Sequence, residues 1–156
     1  MDSNRFNEIL VVDSVPVGES NTAKRLFDDL ETYASAYPLR PAVRYVRVQS
    51  ADEFIQCILD CRKRACDQDI IPLLHIECHG DEDGFQFADG SIADWEELKL
   101  PLTELNVVTR LNLMVVVAAC TGGALAKAVR ISDRAALWGL IGPTTTVTAK
   151  EIEEAY

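Results

Sequence analysis

Two patterns of hydrophobic and polar positions alternate along the chain. Apolar-rich runs occupy positions 8–13, 42–48, 71–78, 112–119 and 136–141, and the last two are continuous. Such runs are typical of strands that helices cover on both faces. Between the first runs, apolar residues recur at helical spacing over 23–37 and 52–67, which predicts amphipathic helices. The alternation predicts βαβ units and a parallel sheet.

The predicted first and last helices have recognisable ends. Ser20 or Asn21 is suited to cap the first helix, and Pro38 is expected to end it. Thr148 and Glu151 have the spacing of a capping box, so a last helix is predicted from position 149. Only about two turns of it fit before position 156. We therefore expect a natural chain that continues further.

The pattern changes between the third and fourth predicted strands. Asp89 and Gly90 separate two short apolar segments, a strong signal for a tight hairpin. Asp94 and Glu97 predict a capping box for a short helix, and Pro101 is expected to open another. A hairpin and short helices are thus predicted as an insertion.

Length and composition predict one domain over 1–156. Of the 156 residues, 48% are hydrophobic, enough for a substantial core. The net charge of -10 argues against nucleic acid or an anionic membrane as a partner. The polar N-terminus and the absence of a long apolar run predict a cytoplasmic protein. Its five cysteines, an odd number, suit reduced thiols better than a disulfide framework.

Chemically capable residues stand at the carboxyl ends of three predicted strands. Asp13 closes the first strand, His79 and Gly80 close the third, and Cys120 closes the fourth. In an open parallel sheet, binding and catalytic groups gather beyond these ends. A thiol becomes nucleophilic near a histidine or a helix N-terminus, and a helix is predicted directly after Cys120. The backbone N–H groups of Cys120 and Gly80 are candidates for an oxyanion site.

A family resemblance becomes specific at these motifs. The stretches LLHIECHGDEDGFQF (73–87) and LMVVVAACTGG (113–123) resemble the His-Gly and Ala-Cys signatures of caspase-like cysteine peptidases, most closely those of the CHAT branch. The stretch 137–156 also resembles the fifth strand, turn and helix of that branch. The resemblance implies a caspase-like α/β fold, a parallel sheet of flavodoxin-like order between helices in three layers, here without its C-terminal strands.

The resemblance also implies an activity. His79 would be the general base and acid, Cys120 the nucleophile and Gly80 an oxyanion contributor in peptide-bond hydrolysis through an acyl-enzyme. No metal or cofactor is implied. Activation by a protein partner or by a missing C-terminal portion is expected, and the CHAT branch commonly acts in defence or cell death.

Asp13 is the predicted substrate-binding residue. In caspase-like folds the residue after the first strand often lines the pocket for the side chain preceding the cut, and an acid there would favour Lys or Arg. The alternative is that Asp13 only caps a turn.

The sequence leaves two other interpretations of the protein open. The chain is alternatively a catalytically inactive caspase-like binding or regulatory module, or a flavodoxin-like domain that binds a small anion beside Cys120. A metal site at His75, Glu77 and His79 is less favoured than a buried, hydrogen-bonded His75.

Overall fold

The computed structural model describes residues 5–36, 40–128 and 133–154. From the N-terminus the elements are β1 (Glu8–Asp13), α1 (Thr22–Ser35), β2 (Ala42–Arg47), α2 (Ala51–Gln68), β3 (Pro72–Glu77), β4 (His79–Gly80), β5 (Gly84–Gln86) and β6 (Ile92–Asp94). They continue with α3 (Trp95–Val108), β7 (Met114–Ala118), a 3-10 helix (Gly122–Ala128), β8 (Gly139–Ile141) and α4 (Ala149–Glu154). Pro38, the predicted end of the first helix, lies outside the described residues.

Five parallel strands form the main sheet in the order β2-β1-β3-β7-β8. This is the doubly wound order 2-1-3-4-5 when only the strands of this sheet are numbered. The register pairs Asp13 of β1 with Arg47 of β2 and with Glu77 of β3, and Glu77 with Ala118 of β7. The predicted α/β class and parallel sheet are confirmed.

Helices cover both faces of the main sheet. Helix α1 contacts β1, β2 and β3 on one face, while α2 and α3 pack against each other on the other face. The buried core on the α2 side includes Leu10, Leu74 and Val115 from the sheet and Phe54 and Ile58 from α2. Residues that alternate along each strand point to opposite faces, so the arrangement has three layers.

The predicted hairpin is present and forms part of a small second sheet. Strands β5 and β6 are antiparallel, and Gly90 between them has a φ of 87°. The ring of Phe85 packs 6.1 Å from Phe54 and 5.0 Å from Trp95, centroid to centroid. These aromatic contacts attach the hairpin to α2 and place it beside the carboxyl ends of β3 and β7.

Two predicted boundaries are wrong. The sequence places His79 and Gly80 at the end of the third strand, but β3 ends at Glu77 and these two residues form β4, which pairs with β5. The polypeptide therefore leaves the main sheet just before His79.

Pro101 was expected to open a helix, yet it lies inside the continuous α3. Burial of Leu98 and Leu102 on either side of it stabilises that helix against the missing hydrogen bond.

The region after Cys120 also differs from expectation. A 3-10 helix, rather than a regular α-helix, occupies Gly122–Ala128, and the fifth strand is limited to Gly139–Ile141. The predicted capping boxes are confirmed at Asp94 with Glu97 and at Thr148 with Glu151. In the described part of the chain, no helix combines the length and apolar character needed to cross a membrane.

Candidate functional site

A pocket of about 90 Å³ opens at the carboxyl ends of β1, β3 and β7. His79 and Cys120 both line it, together with residues of the loop that connects β1 to α1. Each of the two comes two positions after the last paired residue of its strand, since β3 and β7 pair up to Glu77 and Ala118. The adjacent strand ends therefore bring the predicted histidine and cysteine to one site.

Cys120 sits on a sharp turn between β7 and the 3-10 helix. Thr121 has a φ of 52°, in the left-handed region, a conformation that non-glycine residues adopt infrequently. Gly122 comes next, and a Cβ on it would lie 2.4 Å from Cγ1 of Val117. The turn thus depends on a glycine at this position, and it leaves the Cys120 side chain partly exposed.

A segment that we call the covering segment, residues 142–148, runs across this turn. The backbone N–H groups of Gly123 and Thr121 donate to the carbonyls of Pro143 and Thr145, at 2.8 Å and 3.0 Å. The Cys120 thiol donates to the carbonyl of Val147, with Sγ and O 3.6 Å apart. The carbonyls of Pro143, Thr145 and Val147 therefore bind three groups around the thiol.

His79 makes its hydrogen bond to a different neighbour. Its Nε2 lies 3.1 Å from Oε1 and 3.0 Å from Oε2 of Glu19, which belongs to the β1–α1 loop. Both side chains are about half exposed. In this arrangement the ring is held by Glu19 and the thiol by Val147, so the two side chains share the pocket while bonded to other groups.

Gly80 is in tight contact with the turn that carries Cys120. A Cβ on Gly80 would lie 2.9 Å from the carbonyl oxygen of Cys120 and 3.3 Å from Cβ of Ala119. Strand β4 and the end of β7 can approach this closely only because Gly80 has no side chain. The predicted oxyanion role of the Gly80 and Cys120 N–H groups remains a prediction.

Glu77 brings a buried carboxyl group to the wall of the pocket. It is 1% exposed, accepts a hydrogen bond from the Thr22 hydroxyl, and its Oε1 lies 2.9 Å from Nε2 of His75. His75 is 3% exposed, so the prediction that it is a buried, hydrogen-bonded residue is confirmed. Within 5–36, 40–128 and 133–154, no three His, Cys, Asp or Glu side chains are placed to hold a metal ion.

Asp13 does not line the pocket, although substrate binding was predicted for it. Its fully buried carboxylate accepts hydrogen bonds from Arg47 Nη1 at 2.6 Å, Asn21 Nδ2 at 2.8 Å and the Tyr45 hydroxyl. The other oxygen accepts from the backbone N–H of Val15 at 2.8 Å. The side chain is fully engaged in fixing both ends of the β1–α1 loop, which agrees with the capping alternative.

The remaining cysteines are packed or distant from the pocket opening. Burial raises the pKa of the Cys78 thiol, and a hydrogen bond with Cys57, together with burial, raises the pKa of the Cys61 thiol. Cys66, at the end of α2, is exposed. Cys120 is the thiol that combines partial exposure with a place on the pocket wall.

Sequence reasoning missed three participants: Glu19, Glu77 as a pocket residue, and the carbonyl of Val147. Glu19 belongs to a loop of unpatterned sequence, and a backbone carbonyl carries no side-chain signal. The position of Glu77 on the same strand face as His75 was the available clue.

Comparisons with known proteins give no relatives. Scans of protein-family models, of curated proteins and of solved structures all return no match for this chain.

Proposed function

We propose that this protein is a caspase-like cysteine endopeptidase of the CHAT type, with Cys120 as nucleophile and His79 as general base and acid. The observation that carries the proposal is the meeting of both side chains in one pocket, at equivalent positions beyond the adjacent strands β3 and β7. The five-stranded parallel order and the tight contact of Gly80 with Cys120 support it.

The proposed reaction begins with a rotation of the Cys120 thiol away from Val147. The thiol proton passes to His79, and sulfur attacks the carbonyl carbon of the scissile peptide bond. The C–N bond breaks as His79 donates that proton to the leaving amine. Water, deprotonated by His79, then hydrolyses the thioester, which releases the acid and restores the thiol.

The acidic pocket favours a substrate with Lys or Arg before the cut. Glu19 and Glu77 bring carboxyl groups to the lining, and the whole chain carries a net charge of -10. Negative potential concentrated in a concave site attracts cationic groups. In this proposal the half-exposed Glu19 supplies the negative charge that was predicted for Asp13, and the buried Glu77, which is bonded to Thr22 and His75, adds only to the negative potential of the pocket.

Activation by a protein partner fits the position of the covering segment. Its Val147 carbonyl holds the thiol, so a partner that displaces the segment would free Cys120 for reaction. A cytoplasmic location belongs to the same proposal and rests on the polar N-terminus, whereas the defence or cell-death setting rests on the family resemblance.

Labelling with peptidyl electrophiles tests the activity. A set of peptides ending in Arg, Lys, Asp or Leu, each bearing a thiol-reactive ketone, should label the wild type, with the basic members reacting fastest. Cys120→Ala and His79→Ala should both abolish the labelling, whereas Cys66→Ala, which removes an exposed thiol elsewhere, should leave it unchanged. Equal labelling of several cysteines, insensitive to His79→Ala, would contradict the proposal.

The alternative is a catalytically inactive binding module of the same fold. The separate hydrogen bonds of the thiol to Val147 and of the imidazole to Glu19 favour it. Such a module would bind basic peptides reversibly, with an affinity that Cys120→Ala leaves intact and with no hydrolysis of fluorogenic versions of those peptides.

A further inference from the structure

The loop between β1 and α1 places the carboxylate of Glu19 beside the imidazole ring of His79. Both carboxylate oxygens of Glu19 lie within 3.1 Å of Nε2 of His79. A carboxylate offers only acceptors, so Nε2 must carry a hydrogen to make this contact. In the neutral ring, the unprotonated nitrogen is then Nδ1.

We infer that Glu19 is a positioning residue for His79, which fixes the orientation and tautomer of the ring so that Nδ1 is the nitrogen that takes the Cys120 proton. The inference deepens the proposed function and rests on it. In many nucleophile–base pairs a third group orients the general base through its second nitrogen. Glu19 would complete a Cys120–His79–Glu19 arrangement.

The loop that carries Glu19 is well anchored. The Asp13 carboxylate accepts from Val15 N–H and from the Asn21 side chain, one on each side of Glu19. The backbone N–H of Ser14 donates to the Glu77 carbonyl at 2.7 Å, and that of Glu19 donates to the Pro16 carbonyl at 3.2 Å. These bonds fix the loop against the end of β3, two residues before His79.

The expected size of the effect of Glu19→Ala depends on how far the His79 and Glu19 side chains are exposed to solvent. His79 and Glu19 are 46% and 49% exposed, and an exposed ion pair contributes little to stability because solvent screens it. Glu19→Ala should therefore change the midpoint of thermal unfolding little, and its main effect should be on the orientation and tautomer of the His79 ring. We expect alkylation of Cys120 by iodoacetamide to slow by about fivefold, the upper range for such a contact.

Imidazole nitrogen-15 NMR provides a direct readout of the tautomer. The chain has two histidines, and His79→Ala assigns the signals. In the wild type, neutral His79 should carry its hydrogen almost exclusively on Nε2, beyond the preference for that nitrogen that a solvated histidine side chain already has. Glu19→Ala should return the ring to a mixed population, and Glu19→Gln, which keeps the length and one acceptor oxygen, should fall between. Glu82→Gln is the matched control, because it removes a carboxylate that is close to His79 in the sequence while leaving Glu19 in place.

The outcomes separate the two proposals. Slower alkylation in Glu19→Ala with a changed tautomer supports the positioning role. A wild-type tautomer and an unchanged alkylation rate in Glu19→Ala, with His79→Ala still slow, would overturn this inference alone. Alkylation that is indifferent to His79→Ala would overturn the proposed function itself.

Discussion

Gly80 of β4 and Cys120 beyond the end of β7 are in tight contact, so that a Cβ on Gly80 would lie 2.9 Å from the Cys120 carbonyl oxygen. The contact joins the turn that carries the thiol to the two-residue strand that carries His79. The relative position of the two side chains is therefore set by backbone packing.

Gly80→Ala should disturb this contact. The new methyl group would meet backbone, which cannot move aside as a flexible side chain does, and overpacking of this kind costs about 1–3 kcal/mol. We expect a lower free energy of unfolding in urea and slower labelling of Cys120. Gly139→Ala in β8 is the control, because its Cβ would meet only Cγ of Met114 at 3.9 Å. Equal labelling in both variants would show that the contact is unimportant for the site.

Asp13→Asn should reduce stability and leave peptide preference unchanged. The carboxylate is fully buried and paired with Arg47, which is 29% exposed. Removing one charge of a buried pair costs about 3–5 kcal/mol, and because Arg47 is partly exposed we expect the lower end of that range, measurable by urea unfolding. Asp28→Asn, which breaks an exposed pair with Lys24, should change stability little. A changed preference for the residue before the cut would restore Asp13 as a substrate contact.

Stability should fall at alkaline pH through Tyr45. Burial raises the pKa of its phenol, as do the hydrogen bond and charge of Asp13. The folded protein therefore retains this proton above about pH 10, where an unfolded tyrosine loses it. The contribution to stability is present below about pH 10 and is lost as the pH rises further. The buried thiols of Cys61 and Cys78, whose pKa values are also raised, lower the stability at alkaline pH in the same direction. The contribution of Tyr45 is therefore measured as the difference between the wild type and Tyr45→Phe.

Thermal unfolding midpoints between about pH 8 and 11 measure this effect. The decline should be shallower in Tyr45→Phe than in the wild type, while Tyr33→Phe, at an exposed tyrosine, should behave as the wild type does. Parallel curves for the wild type and Tyr45→Phe would contradict the assignment.

Displacement of the covering segment should expose Cys120. A Cβ on Gly142 would lie 3.0 Å from the backbone nitrogen of Gly123, so Gly142→Ala should push the segment away from the turn. Hydrogen exchange at the Thr121 and Gly123 amides should accelerate, and iodoacetamide should alkylate Cys120 a few times faster. Faster exchange without faster alkylation would show that the segment does not cover the thiol.

Much of the fold was predictable because long apolar runs specify buried parallel strands. The meeting of the His79 and Cys120 regions was also predictable from their places at strand ends. The departure of the chain from the sheet before His79 was not predictable, since it depends on pairing of β4 with β5 and on aromatic packing around Phe85. The same holds for the backbone carbonyl of Val147, whose contact requires the path of the covering segment.

Asp13 shows why a residue type at a strand end does not define its role. The sequence places an acid where a substrate pocket is expected, and the pocket is indeed adjacent. The side chains of Arg47 and Tyr45, on the neighbouring strand, donate hydrogen bonds to that carboxylate, which is therefore not available to a substrate. Their alternation on β2 was visible in the sequence, but the register that aligns them with Asp13 was not.

The central claim is that His79 activates Cys120, and the rate constant for alkylation of Cys120 by iodoacetamide tests it most directly. Mass spectrometry measures Cys120 and the exposed Cys66 in the same molecule, so Cys66 serves as an internal reference. We predict that His79→Ala slows alkylation of Cys120 by about a hundredfold or more, the lower range for loss of a general base, with no change at Cys66. Equal rates at Cys120 in the wild type and in His79→Ala would contradict the account.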